Sequence, residues 1–430
     1  MQNFAVSGIC DPQLLQNKSV EPSGSAILAF LPVRSRKIAI AILFALALVF
    51  FLNRGPWRAI RYSTTGDFAT VYGAARCWLH GINPYEREPL KQQLAASGAP
   101  ESVQLDQDVN PSVYLPSALV WMALVASLPW HVANVLWCLL ALVLWTFALL
   151  RILAQLPLSP PAKWLIAAAA LIFSPTYVGV YDGNPAVIVI SLVTLAILDE
   201  NWLRSAVLIG IALCFKPQIA LCAICIFAVR RQWRPLILAG LFFGLFLFAG
   251  SVGHWQWWQT ERRNVAMSFE PGGQSDPVPA SHVAWQFLNT QTLLSYAVPN
   301  RNAANLVVWV IAAVFVALFL FRTNRSRWQT IAFFAAMTLM LTYHRYYDAQ
   351  LLLLAIPFLL ELWPNRTRFA LVAACFLVLA FPVQSFFARR LGPAALRPSL
   401  EQALLLRNQP IAVLALFALF AFPVGRKQKL

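Results

Sequence analysis

Long apolar runs separated by short polar stretches dominate this chain, and their length is the first structural signal. An α-helix rises about 1.5 Å per residue, so about 20 apolar residues cross a bilayer core of roughly 30 Å. About twelve runs near that length recur, at 37–52, 114–128, 132–153, 164–180, 185–198, 205–229, 236–252, 304–321, 330–343, 349–363, 369–384 and 410–424. Alternating these spans from an inside N-terminus predicts which loops are basic. The loops assigned inside carry Arg230, Arg231 and Arg234, then Arg322, Arg325 and Arg327, then Arg366 and Arg368, and last Arg426, Lys427 and Lys429. Two inside turns, 128–131 and 181–183, lack Lys and Arg.

The outside receives two long connections, 53–113 and 253–303, and a shorter one near 386–409. In the first, Phe68, Val71, Tyr72, Ala75 and Leu79 recur at helical spacing, with Gly81 and Pro84 as a stop. The pattern predicts an amphipathic helix along the outer interface, with Trp78 and Tyr85 at headgroup depth. No internal repeat of the transporter kind is visible.

Composition agrees that lipid is the main solvent. Of 430 residues 59% are hydrophobic and 12% charged, and the mean hydropathy is +0.63. The net charge of +16 would point to nucleic acid in a soluble protein, but the basic residues sit in short clusters between spans and read as topology signals. Cys138, Cys214, Cys222, Cys225 and Cys375 all fall in apolar runs. Cys222 and Cys225 form a C-x-x-C without a second pair or a nearby His, so packing is favoured over metal or redox chemistry. Residues 1–33, rich in Ser, Pro, Gly, Asn and Gln, read as a cytoplasmic tail without a fixed fold. The first span lacks a small-residue cleavage site and is expected to stay uncleaved. Residues 34–430 then form one domain.

Three polar groups stand where a membrane makes them expensive. Asp67 begins the predicted outer helix, where it either caps the helix or acts as a general base, and one oxygen can do each. Lys216 lies near the middle of the run 205–229, where an isolated ammonium costs about 2.5 to 3.5 kcal/mol. Pro217 bends that helix, so Lys216 meets a buried anion, or snorkels, or pairs with Asp182. In "LTYHRYYDAQ", His344, Arg345 and Asp348 cluster with Tyr343, Tyr346 and Tyr347 on the side assigned outside. Aromatic anchoring explains the tyrosines, but a basic residue there runs against the inside bias. A His/Arg cluster at helix ends suits a phosphate. His254, Glu261, Arg262, Arg263, Asp276 and His282 in the second long loop are weaker candidates. No G-x-S-x-G, paired C-x-x-C or P-loop occurs, which leaves hydrolase, zinc and NTPase readings without a motif. A base, a buried cation and a His/Arg cluster facing outward suit transfer of a group from a lipid-linked phosphate to a hydroxyl.

The same residues resemble a known family. "GDFATVYGAARCWLHGINPYE" is similar to the Asp…Tyr-x-x-Ala…Gly-x-x-Pro-Tyr opening of glycosyltransferase family 87, the polyprenyl-phosphate-mannose-dependent mannosyltransferase-like proteins of the GT-C superfamily. "VYLPSALVWMALVASLP" resembles the family's Tyr-x-Pro span, and "DGNPAVIVISLVTLAI" its Gly-Gln-x-Asn segment. "ALCFKPQIALCAICIFAVRRQWR" resembles its Lys-x-x-Pro span, "NTQTLL" its Asn-x-Ser segment, and the Tyr343 to Asp348 stretch its His-containing outer turn. The order is the family's and most of the chain is covered. Three departures stand out: Asn184 occupies the family's Gln position, Pro217 follows Lys216 directly, and the outer turn has one His.

The resemblance implies an all-α GT-C bundle of about twelve membrane helices in the plasma (inner) membrane, with both termini cytoplasmic and the active site on the outer face. It implies transfer of a hexose, mannose in the family, from a polyprenyl-phosphate sugar to a lipid or glycan hydroxyl, with inversion and without metal or other cofactor. By it, Asp67 is the base and His344 assists, while Lys216, Arg345, Tyr114, Asn184, Asn289, Tyr346 and Asp348 hold the donor. Expected partners are the bilayer, the lipid-linked sugar and a glycolipid or glycan acceptor, and no nucleic acid. A lipid-linked sugar flippase, or an oligosaccharide ligase using a pyrophosphate carrier, remains as a rival reading of the same charged residues.

Overall fold

The structure is a computed structural model and describes residues 33–62, 66–104, 112–281, 283–322, 325–391 and 399–422. The expected tail 1–33, His282, part of the 386–409 connection and the basic group Arg426, Lys427 and Lys429 lie outside the described residues, apart from Val33. The described residues form helices joined by loops, with no strand among them, and their one extended pairing is an isolated bridge between Phe287 and Arg345.

Among the described residues, four helical segments are long and apolar enough to cross a membrane. A fifth joins them if Pro160–Ile172 and Ser174–Tyr181, bent by 50°, count as one. Shorter apolar helices lie at Pro116–Ala126, Ala186–Leu198, Trp202–Phe215, Pro217–Val229 and Asn408–Ala421. Their outer faces are apolar too. On the helix Trp233–Ser251, Ile237, Leu241, Leu245 and Phe248 follow each other at spacings of four and three, and all are more than half exposed. A stripe of that kind has a natural solvent only in lipid tails.

The run 205–229 is not one helix. It breaks at Lys216 (φ −143°, ψ 80°) into Trp202–Phe215 and Pro217–Val229, because Pro217 has no N–H to continue the ladder and takes the first position of the second helix. Trp202 at the start of one arm and Arg230 just past the end of the other line a single cavity, so the arms run antiparallel. Lys216 is therefore the tip of a helical hairpin and not the middle of a span. The contiguous apolar pattern hid the reversal.

This changes the sidedness expected for the first half. Asn184, just past the turn 181–183 assigned inside, bonds to Asp67 of the first outer connection. In the turn 128–131, Leu128 accepts a bond from Tyr72 and Trp130 donates to Ser97, again in that connection. Both turns thus lie at the end of the bundle that carries Asp67, and not at the end of the arginine loops. The loop after Ala186–Leu198 lies at the other end, with Arg230 and Arg327. Arg322 and Arg368, close enough to repel, lie there too.

The predicted interfacial helix is also relocated. Gly66–Leu79 buries Phe68 through Ala75 and Cys77, and it packs on Arg87–Ala96 and Pro116–Ala126. Tyr85 is 1% exposed, with its hydroxyl donating to the Tyr114 carbonyl at 3.0 Å, and the Trp78 indole donates to Gly250 at 3.0 Å. Protein covers this helix on its polar side as well, so it forms a wall of the molecule and does not lie along a membrane surface. The second long connection closes over it: Asn264, on the helix Trp257–Ser268, donates to the carbonyls of Tyr85 at 2.7 Å and Ser112 at 3.3 Å.

Candidate active site

The site is built around one helix end. Ser174–Tyr181 stops at Asp182, Gly183 follows at φ 61°, and the Asn184 N–H returns to the Gly179 carbonyl at 3.0 Å. A left-handed residue at that point is what glycine supplies without strain. Asn184 then begins the next helix by accepting the Ala186 N–H on Oδ1 at 2.7 Å. With its oxygen taken by a backbone donor, its Nδ2 has to face the other way.

Facing it is Asp67. Asn184 Nδ2 donates to Asp67 Oδ2 at 2.7 Å and to the Tyr347 hydroxyl oxygen at 2.7 Å, and the Tyr347 hydroxyl donates to the same Oδ2 at 3.2 Å. Asn184 is 2% and Tyr347 5% exposed, whereas Asp67 is half-buried. Asp67 sits in the first turn of its helix, but among the described residues its hydrogen-bond partners are these two side chains and not a backbone N–H. The capping expectation is corrected accordingly: Asn184 and Tyr347 orient the carboxylate. Oδ1 is left uncommitted among the described residues.

A second cluster adjoins the first through Tyr347. Lys216 Nζ lies 5.2 Å from the centre of the Tyr347 ring and 3.4 Å from Asp348 Oδ1. Asp348 Oδ2 is 3.0 Å from His344 Nδ1, and His344 Nε2 is 3.0 Å from the Thr342 hydroxyl. The anion that meets Lys216 is thus Asp348; the alternatives of snorkelling and of a pair with Asp182 do not describe it. His344 is fully buried and fixed at both ring nitrogens.

Arg345 lies close enough to Asp67, Tyr343 and Tyr347 to interact with their charges, and its Nε donates to the Tyr343 hydroxyl at 2.7 Å. The Tyr114 phenol is within electrostatic reach of Asp67, Arg345 and Asp348. Asn289 is brought alongside by backbone bonds from Leu288 to the His344 carbonyl at 2.9 Å and from Thr290 to Met340 at 3.2 Å. Its Oδ1 is buried with no partner among the described residues. Tyr346 turns away, toward Asp182 and Tyr177. The tyrosine in the site is Tyr347, which the sequence did not single out from its neighbours. Arg407 also escaped notice: it is 1% exposed beside Tyr296, and its Nε and Nη1 have no partner among the described residues. It belongs to a connection assigned outside, so the argument that marked Arg345 applies to it equally. Cys222 and Cys225 are free thiols packed in the hairpin.

A carboxylate with one oriented oxygen and one uncommitted among the described residues, within charge reach of Arg345 and adjoined through Tyr347 by the Lys216–Asp348–His344 cluster, is equipped to take a proton from a hydroxyl beside an anionic leaving group. The profile of glycosyltransferase family 87 matches residues 113–344, more than half of the chain. This chain belongs to glycosyltransferase family 87. No curated protein and no solved structure matches it. The family match contains Tyr114, Asn184, Lys216, Asn289 and His344, and it stops short of Asp67 on one side and of Arg345 and Asp348 on the other. Folding brings the outlying residues to the matched ones, Asp67 to Asn184 and Asp348 to Lys216 and His344. The chain is thus a glycosyltransferase with apolar helices suited to a membrane.

Proposed function

We propose that this glycosyltransferase moves a hexose, mannose by family resemblance, from a polyprenyl-phosphate sugar to a hydroxyl of a lipid or glycan acceptor, with inversion. The observation that carries this reading is the Asp67 carboxylate, aimed by Asn184 and Tyr347 at Oδ2 and open at Oδ1. Oδ1 takes the proton of the acceptor hydroxyl as its oxygen attacks the anomeric carbon. The bond from that carbon to the phosphate oxygen breaks, and its electron pair leaves on polyprenyl phosphate. Arg345, the cation near Asp67, faces the developing phosphate charge, with Lys216 behind the Tyr347 ring. Asp348 holds His344 and Lys216 in place for this step. Tyr114 and Asn289 border the sugar. The end of the bundle that lacks the arginine loops is the outer face in this reading, so both lipid-linked substrates reach the site from the outer leaflet.

The test is a labelled polyprenyl-phosphate hexose given to membranes that hold the wild type or Asp67→Asn. Removing a general base is expected to lower turnover by about 10² to 10⁴ while donor binding persists. Equal product from both proteins would overturn the role of Asp67, and sugar translocation without a new glycosidic bond would replace the reaction with transport.

A further inference from the structure

At the end of the molecule away from Asp67 lies a cavity of about 840 Å³, lined by Arg230, Arg231, Arg234 and Arg327 and by the indoles of Trp202 and Trp233. The helices that carry the site also carry this cavity. Ala186–Leu198 and Pro217–Val229 begin beside Asn184 and Lys216 and end at it, whereas Arg327–Leu341 begins at it and ends beside His344. Thirteen residues of helix hold the two places about 20 Å apart.

Positive-inside bias explains why arginines gather at this end, but it does not explain how two of them are held. Arg230 Nη2 is buried with no partner among the described residues, and Arg327 has among them a long bond to the Ile197 carbonyl, at 3.4 Å, and the Trp328 ring 5.2 Å away, but no anion. Burial and then the neighbouring Arg327 pull the Arg230 guanidinium down to about 10. Like charges packed together with unused donors are a standing demand for an anion. The acidic groups at the cavity do not meet it. Asp199 is tied to Arg204 at 2.9 Å and to the Asn201 N–H, and Glu200 is exposed.

Arg231 supplies an independent sign. The helix ends with Arg231 N–H on the Ala228 carbonyl and Gln232 N–H on the Phe227 carbonyl, both at 2.9 Å, and Arg231 sits at φ 56°. Glycine is the residue that takes this place without strain. An arginine there puts charge at the cavity against the backbone's preference, and such strain points to function. Trp202 and Trp233, each about half exposed, set the mouth at the depth where indoles meet lipid headgroups.

We propose that this cavity binds the phosphate of an acidic phospholipid headgroup between Arg230 and Arg327, with Arg231 and Arg234 at the rim. Basic pockets between membrane helices are suited to this ligand. The proposal rests on membrane placement and is independent of the transfer reaction. Thermal melting of the full chain, purified in phosphatidylcholine micelles with or without phosphatidylglycerol, tests it. Phosphatidylglycerol is expected to raise Tm by about 3 °C or more through mass action. Arg327→Gln abolishes most of that gain, while Arg366→Gln, at the same end but outside the cavity, keeps it. Arg231→Gly is the sharper arm. It raises Tm in phosphatidylcholine alone by relieving strain, and it diminishes the gain from phosphatidylglycerol. An equal gain in wild type and Arg327→Gln, or a gain unaffected by Arg231→Gly, overturns the proposal. A full gain from inorganic phosphate in phosphatidylcholine also overturns it, in favour of a soluble anion.

Discussion

The Asn184 carboxamide has one orientation open to it, because the Ala186 N–H takes its oxygen. Its two donor bonds then fix both Asp67 and Tyr347. Asn184→Ala is expected to leave the carboxylate free to rotate and to lower kcat about tenfold or more with little change in KM, since misplacing a reacting group costs rate before binding. Tyr347→Phe keeps the ring beneath Lys216 and the direct Asn184–Asp67 bond while losing the two bonds of the hydroxyl, so a smaller loss is expected. Steady-state kinetics on membranes with labelled donor measures both. Asp67 and Asn184 were legible in the sequence as residues but not as a pair, since 117 positions separate them. The choice of Tyr347 over Tyr346 was not legible. Both stand in a 3-10 helix, where successive side chains point about 120° apart, and only the packing of Tyr346–Ala355 on the Ser174–Tyr181 helix decides which one faces Asp67.

At the scale of elements, the helical hairpin carries most of the consequence. Lys216 at its tip is 8% exposed and Asp348 2%, so each is the other's main compensation for leaving water. Lys216→Met is expected to cost up to about 3 to 5 kcal/mol, because it leaves a buried carboxylate with His344 alone, and adding Asp348→Asn should recover part of the loss. Denaturant or thermal unfolding of the single and double variants in detergent checks this. An equally stable single variant would show that the pair is not held as described. The apolar runs and the break residue Pro217 were visible in the sequence. The reversal was not, because two short helices of the same period joined end to end read as one long one, and only the tertiary structure, which puts Trp202 and Arg230 on one cavity, separates the cases. The Gly66–Leu79 helix misled for a related reason: spacing shows that one face is apolar, but not that protein will cover the other.

On the scale of the whole molecule, the two long connections pack on each other, and one acid between them reports on that packing. Glu261 is 6% exposed, and burial pushes its carboxyl above the ordinary range while Arg262 pulls the other way. A carboxyl raised in the folded state favours folding when protonated. The protein is therefore expected to lose stability as pH rises from the ordinary carboxylate value through the raised one. Glu261→Gln should flatten that decline and melt higher than wild type at pH 8, with the difference vanishing at low pH. Parallel melting curves for the two proteins would sink this. The short helices carry a different kind of consequence. Ala186–Leu198 and Pro217–Val229 reach only about 20 Å, less than the roughly 30 Å hydrocarbon core. With the arginine end at headgroup depth, as proposed, a site at their other ends lies below the opposite headgroups, within the thickness of the membrane. In the proposed reading the substrates are lipid-linked, so they find it by a search in two dimensions, and what sets the rate is how crowded the leaflet is with donor. Adding inert lipid at a constant total amount of donor is expected to slow product formation in proportion to the dilution, and diluting the whole suspension with buffer to leave the turnover per enzyme unchanged.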